Sequence, residues 1–137
     1  MVKVLITGGC GHIGSYLIRK LPSKYKITVV DNLLTQRYCS LFDLDRGIKF
    51  IEKDIDGLTE DDVVGIDVVI HLAAITNAEG SFKNKEEVEN VNIVKTEKFI
   101  GLCKKVGISY FIFPSSTSVN GASVDVVYED DDSVVNP

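Results

Sequence analysis

The sequence predicts an α/β fold, a doubly wound parallel sheet with strands in the order 3-2-1-4-5. Three observations predict it. Short runs rich in β-branched and apolar residues alternate with helix-length stretches as far as residue 113. Those runs are apolar nearly throughout, which suits parallel strands buried on both faces. Glycines at 8, 9, 11 and 14 stand directly between the first run and the first helical stretch. Such alternation builds right-handed βαβ units side by side.

The elements follow in order. Val2-Lys3-Val4-Leu5-Ile6-Thr7 reads as the first strand, and residues 12–21 as a helix ended by Pro22. Ile27-Thr28-Val29-Val30 is the second strand, closing on Asp31, and residues 48–51 the third, closing on Asp54. Residues 59–64 suit one or two helical turns, and Asp67-Val68-Val69-Ile70-His71-Leu72 is the fourth strand. A long helix is expected from about Lys85 to Val106, with Asn84 as N-cap and Glu87 completing a capping box. On it Val88, Val91, Phe99, Leu102, Cys103 and Val106 share one face, which should pack on the sheet. Asn92 falls on that face, and a buried amide needs partners, so it should tie two elements together or reach a ligand. Ile93 and Ile100 form a second stripe, suited to partial exposure or to a partner helix. Tyr110-Phe111-Ile112-Phe113 is the fifth strand.

Composition bounds the function. With 45% hydrophobic and 26% charged residues, the chain is expected to fold as one globular domain over residues 1–137. A net charge of -5 argues against a nucleic-acid partner. Cys10, Cys39 and Cys103 are odd in number and form no CxxC pair, so neither a disulfide framework nor a zinc site is expected. No apolar run approaches membrane-spanning length, and the first strand begins at once after Met1, so no membrane partner and a cytoplasmic location are expected. The run Glu129-Asp130-Asp131-Asp132 reads as a solvated loop.

The glycine loop carries the strongest chemistry. Gly8 permits a tight turn, Gly11 lets a pyrophosphate approach the backbone, and Gly14 lets helix and strand pack closely. The amides opening the helix at His12 and Ile13 offer donors and a favourable dipole to phosphate. Asp31 lies at the end of the next strand, where a carboxylate accepts both ribose hydroxyls and repels a 2′-phosphate. The pattern points to a Rossmann-type dinucleotide site that favours NAD over NADP; Arg37, the counter-argument, is expected on the surface. Cys10 sits where a helix N-terminus lowers a thiol pKa, but reads first as a small side chain fitted into a tight loop. His12, His71 and Cys10 fall near neighbouring strand ends. No further ligand completes a recognisable spacing, so no metal site is expected.

The spacing Gly8-x-x-Gly11-x-x-Gly14 resembles the extended short-chain dehydrogenase/reductase family, and other segments match it in register. Asp31-Asn32-Leu33 resembles its adenosine-ribose segment and Asp54-Ile55 its adenine-contacting acid and neighbour. His71-Leu72-Ala73-Ala74 resembles the strand-four signature beneath the cofactor. Asn92, with Thr96 after it, is similar to the asparagine that braces the sheet. Ser115-Ser116-Thr117-Ser118-Val119-Asn120-Gly121 resembles the segment usually ending Val-Tyr-Gly, which places Ser116 on the catalytic Ser/Thr position. The resemblance implies an NAD-dependent epimerase, dehydratase or reductase of a nucleotide-linked sugar, of the UDP-glucose 4-epimerase kind. It implies hydride transfer to NAD, a Ser or Thr hydroxyl orienting the substrate oxygen, and a tyrosine base assisted by a lysine four residues on in the family's order.

Several positions depart from the family pattern. Tyr16 and Lys20 give the one Tyr-x-x-x-Lys spacing, but on the first helix, away from any nicotinamide. The family's pair follows a proline in the place of Pro137. The expectation is therefore the cofactor half of a longer enzyme, inactive by itself, with a non-catalytic NAD(H)-binding or sensing module as the alternative. Asn120 stands in place of the usual tyrosine, and Thr76 where some sugar epimerases carry lysine. A sheet ending at its fifth strand exposes an apolar edge, so a homodimer or truncation-induced self-association is expected.

Overall fold

A computed structural model describes residues 1–44, 47–76 and 84–116. The strands are β1 (Lys3–Thr7), β2 (Lys26–Asp31), β3 (Lys49–Glu52), β4 (Val68–His71) and β5 (Tyr110–Ile112). Between them lie α1 (His12–Lys20), α2 (Glu60–Val63), α3 (Lys85–Glu89) and α4 (Thr96–Val106), with a π turn, Asn90–Lys95, joining α3 to α4. Short 3-10 turns span Tyr38–Leu41 and Ile55–Gly57. The strands differ from the sequence expectation by a residue at their ends, and all pair in parallel in the order β3-β2-β1-β4-β5. Val119, Asn120, Gly121, the Glu129–Asp132 run and Pro137 lie outside the described residues.

Alternate residues of each strand feed opposite layers, as a pleated backbone requires. Val4, Ile6, Ile27 and Val29 meet Ile18 of α1 on one face. Leu5, Val30 and Val69 meet Val63 of α2 and Phe99 and Cys103 of α4 on the other. Parallel pairing brings all five strand C-termini to one edge, and the chain turns outward in opposite directions from β1 and β4. That crevice is where ligands bind in doubly wound sheets.

Two expectations about the long helix change. It is not α-helical throughout: residues Asn90–Lys95 form a wider π turn, and Thr96 Oγ1 just after it donates to the carbonyl of Val91, five residues back, at 3.3 Å. The apolar face also divides. Phe99 and Cys103 enter the core, with Leu102 and Val106 packed against it, whereas Val88 and Val91 are half-buried and wall the crevice. The helix overruns the sheet edge at its N-terminal end, so the same stripe changes neighbours. The capping box is not formed either. Asn84 adopts φ -130° and ψ 50°, and its Nδ2 donates to Glu87 Oε2 at 3.2 Å instead of its oxygen accepting from a helix amide. The expected turn at 59–64 is capped well: Asp62 Oδ2 accepts from Thr59 N at 2.9 Å and from Lys53 Nζ at 2.8 Å.

At the β5 edge Tyr110, Ile112 and Phe113 are exposed, as are Ile93 and Ile100 of the second helical stripe.

A Cβ added at Gly14 would stand 2.6 Å from the Gly8 oxygen and Gly9 Cα, whereas one at Gly57 meets nothing within 4 Å. Gly14→Ala is therefore expected to cost about 1–3 kcal/mol through overpacking of rigid backbone. Gly57→Ala is expected to lie within about 0.5 kcal/mol of wild type or to stabilise slightly. Urea unfolding midpoints of the two variants check the contrast.

Candidate functional site

The glycine loop is backbone packed on backbone. Gly8 has φ 65°, and a Cβ there would lie 2.7 Å from Ala73 N and from the Leu72 carbonyl. Its amide donates to the Val30 carbonyl at 2.8 Å, and its own carbonyl accepts from Gly11 N at 3.0 Å. This tight turn starts α1 at Gly11, which lines the crevice; His12, Ile13 and Gly14 follow it and do not line it. The first turn of α1 holds no acid and the last holds Arg19 and Lys20, which leaves the positive end of the dipole uncompensated. A Cβ at Gly11 would touch only the Gly8 oxygen, at 3.1 Å, so the outer side of the loop is open to an approaching group. His12 and Ile13 are exposed and contribute their backbone amides at this helix start.

Asp31 ties the loop to its neighbour. Its Oδ2 accepts from Cys10 N at 2.9 Å and its Oδ1 from Leu33 N at 2.8 Å. Leu33 is held at φ 55°, rare for a non-glycine residue, with its side chain buried, while Leu34 beside it walls the crevice. Behind the loop, Ser40 Oγ donates to the Cys10 carbonyl at 2.9 Å, and Arg19 Nη2 donates to the carbonyls of Ser40 and Phe42, each at 3.0 Å. Cys10 is fully buried. Burial first, then the Asp31 charge and Cys39, push its thiol up to about 11, so it stays protonated and serves as a small filler.

The crevice encloses about 640 Å³. Gly8, Gly11 and Asp31 form its centre, Asn32, Asp54 and Ile55 one wall, and Leu72, Ala73, Ala74 and Thr76 the other. Asn92 does not line it. Its Oδ1 accepts from Ile75 N at 2.8 Å and its Nδ2 donates to the Ile75 carbonyl at 3.0 Å, so it braces the β4 loop on the helix. Arg37 is exposed, as expected, yet stands on the rim of the same crevice. Lys53, Lys95, Val88 and Val91 also line it and carried no functional expectation. The sequence held a signal for Lys95, which stands three residues after Asn92 and so on the same side of the helix. Its ammonium pairs with Asp54 Oδ2 at 3.0 Å and Asp56 Oδ2 at 3.4 Å. Burial acts to raise the Asp54 carboxyl, but hydrogen bonds from Lys95 and Asn32 and the Lys95 charge outweigh it and hold the group below its usual range.

Beneath the crevice runs a buried polar relay. Ala73 N donates to Thr7 Oγ1 at 3.4 Å, Thr7 Oγ1 meets His71 Nδ1 at 2.7 Å, and His71 Nε2 meets Thr96 Oγ1 at 3.1 Å. With the Val91 carbonyl as the acceptor for the Thr96 proton, we assign His71 as the tautomer that donates from Nε2 and accepts at Nδ1. His71 is only 2% exposed and packs among Phe99, Phe111 and Phe113. Burial lowers its pKa to about 4. The folded value lies below the ordinary 6.5, so neutral His71 contributes fully above pH 6.5 and loses that contribution as pH falls toward 4, by about 3 kcal/mol. A stability–pH profile should show this loss, and His71→Gln should remove it; nitrogen NMR should find the proton on Nε2.

The remaining assignments fall plainly. Ser116 follows β5 and is exposed. Tyr16 is 66% exposed on α1 with the Lys20 ammonium 5.7 Å from its ring centre, a surface cation–π pair outside the crevice. His71 spends both ring nitrogens on threonines and His12 is exposed, so the two do not converge with Cys10. Among the described residues no three His, Cys, Asp or Glu side chains group to hold a metal, and no helix is long and apolar enough to cross a membrane.

Comparison with known proteins agrees with this fold. A dTDP-D-glucose 4,6-dehydratase of Dictyostelium discoideum is 34% identical over 98% of this chain and 33% of its own. A putative UDP-glucose 4-epimerase of Methanocaldococcus jannaschii is 28% identical over 98% of this chain and 44% of its own. A UDP-glucuronic acid 4-epimerase of Bacillus cereus, solved in complex with NAD, superposes with a TM-score of 0.80 at 32% identity, over 94% of this chain and 45% of that one. The chain thus spans between a third and just under half the length of these relatives. The model of the NAD dependent epimerase/dehydratase family matches residues 4–137, and this chain belongs to that family.

Proposed function

We propose that these 137 residues form the cofactor side of an NAD-dependent enzyme that epimerises or dehydrates a nucleotide-linked sugar. The observation that carries the reading is the open glycine loop at the N-terminus of α1 with the Asp31 carboxylate beside it. The residues present fit a dinucleotide. The bare outer side of Gly11 and the first amides of α1 suit a pyrophosphate. Asp31 keeps acceptor capacity beyond its two backbone bonds and would take the adjoining ribose hydroxyls. Leu72, Ala73 and Ala74 supply the wall toward β4. When bound, NAD supplies the hydride acceptor for the sugar carbon.

What this chain contributes is binding and orientation. Asn92 and the His71 relay hold the β4 loop in place, so the wall is set before any ligand arrives. Ser116, beyond β5 on the same sheet edge, is the hydroxyl we assign to orienting the substrate oxygen. The proton-accepting tyrosine and its lysine are assigned to sequence beyond these residues, so the segment alone is expected to bind without turnover.

Titration calorimetry tests the cofactor assignment. NAD is expected to bind at least about tenfold more tightly than NADP, a difference of about 1.4 kcal/mol, and Asp31→Asn should narrow that gap by removing the charge that opposes a 2′-phosphate. Tighter binding of NADP by the wild type would overturn it. In the whole protein, Ser116→Ala should lower kcat by about a hundredfold while leaving NAD affinity unchanged.

A further inference from the structure

We propose that Lys95 is a specificity-determining residue that reads the base of the dinucleotide together with Asp54, as a donor beside an acceptor. The proposal rests on the dinucleotide assignment above and adds a residue to it. The sheet order places the base. Phosphates at the loop after β1 and a ribose at the end of β2 direct the rest of the nucleotide outward, to the end of β3. Asp54 and Ile55 stand there, and Lys95 reaches the same place from the π turn opposite.

The pair is built for recognition rather than left on the surface. The Lys95 side chain is 17% exposed, and its ammonium lies 3.0 Å from Asp54 Oδ2. Asn32 Nδ2 donates to that same oxygen at 3.0 Å, which fixes the carboxylate from the other side. Asp56 Oδ2, 3.4 Å from the ammonium, holds the lysine in turn. A cationic donor and an anionic acceptor therefore line the crevice about one hydrogen-bond length apart. Adenine presents the complement, an amino group that donates beside a ring nitrogen that accepts. Asp54 accepts a hydrogen bond from the amino group and Lys95 donates one to the adjacent ring nitrogen. A purine with a carbonyl at that place would set an acceptor against the Asp54 carboxylate.

The experiment is a double-mutant cycle between the protein and the base. Calorimetry compares NAD with its 1-deaza and 7-deaza adenine analogues, in which one ring nitrogen beside the amino group becomes CH, on wild type, Lys95→Met and Lys95→Arg. One of the two analogues should bind wild type at least fivefold more weakly than NAD. Lys95→Met should bind NAD more weakly by a similar factor and no longer distinguish that analogue from NAD, while Lys95→Arg should retain part of the discrimination. Circular dichroism of the variants checks that they remain folded. If both analogues bind wild type as NAD does, or if Lys95→Met weakens all three ligands equally, Lys95 is only a clasp between the π turn and the β3 loop and the proposal is wrong. Failure of wild type to bind NAD at all would instead overturn the dinucleotide assignment.

Discussion

The close approach of bare backbone at Gly8 is the constraint on which the crevice depends. With φ 65° and no Cβ, the residue turns the chain out of β1 while lying against the Leu72–Ala73 peptide at the end of β4. A side chain would have to displace the β4 loop or the helix that follows. The start of α1, at Gly11, thereby stands at the crevice. Gly14 repeats the arrangement one helical turn later, with the helix resting on the Gly8 and Gly9 backbone. The site is thus made by the absence of side chains at its centre and by charged ones around it.

Much of this was legible in the chain itself. Fold class, strand order and the glycine loop follow from apolar periodicity and from glycine's lack of a Cβ, both local properties. Asp31 was legible for a related reason: an acid ending the strand after the loop has one place to go in a doubly wound sheet. The brace made by Asn92 could be inferred from an amide on an apolar face. What escaped the reading depends on distance in three dimensions. The division of one apolar stripe between core and crevice is set by where the sheet edge ends, not by spacing. The π turn has no signature in the residues it contains; Thr96, which follows it, donates to the Val91 carbonyl and also meets a histidine 25 positions earlier. For Lys95 the sequence offers only its place three residues after Asn92; its pairing does not follow from that, because its partners Asp54 and Asp56 lie on the far side of the crevice.

The relay from Ala73 through Thr7, His71 and Thr96 to Val91 joins the strand that carries the glycine loop to the helix that walls the opposite side. Each member gives or takes one proton in a fixed direction, and no buried polar side-chain atom among the described residues lacks a partner. Satisfied networks of this kind specify one arrangement, since any slip leaves a buried donor or acceptor unmet.

The polar strap behind the glycine loop bears on how the domain assembles. Asp31 reaches Cys10 across 21 positions, Ser40 reaches it across 30, and Arg19 reaches Ser40 across 21. The ties that complete the crevice on the other side, from Thr7 to His71 and Ala73, span 64 and 66 positions. Loop-closure entropy rises with separation, so contacts of low sequence separation form at smaller cost. The glycine loop and its strap are in this sense a local object that the first 42 residues can largely rehearse on their own. The opposite wall is a late acquisition, since it waits for β4 to dock.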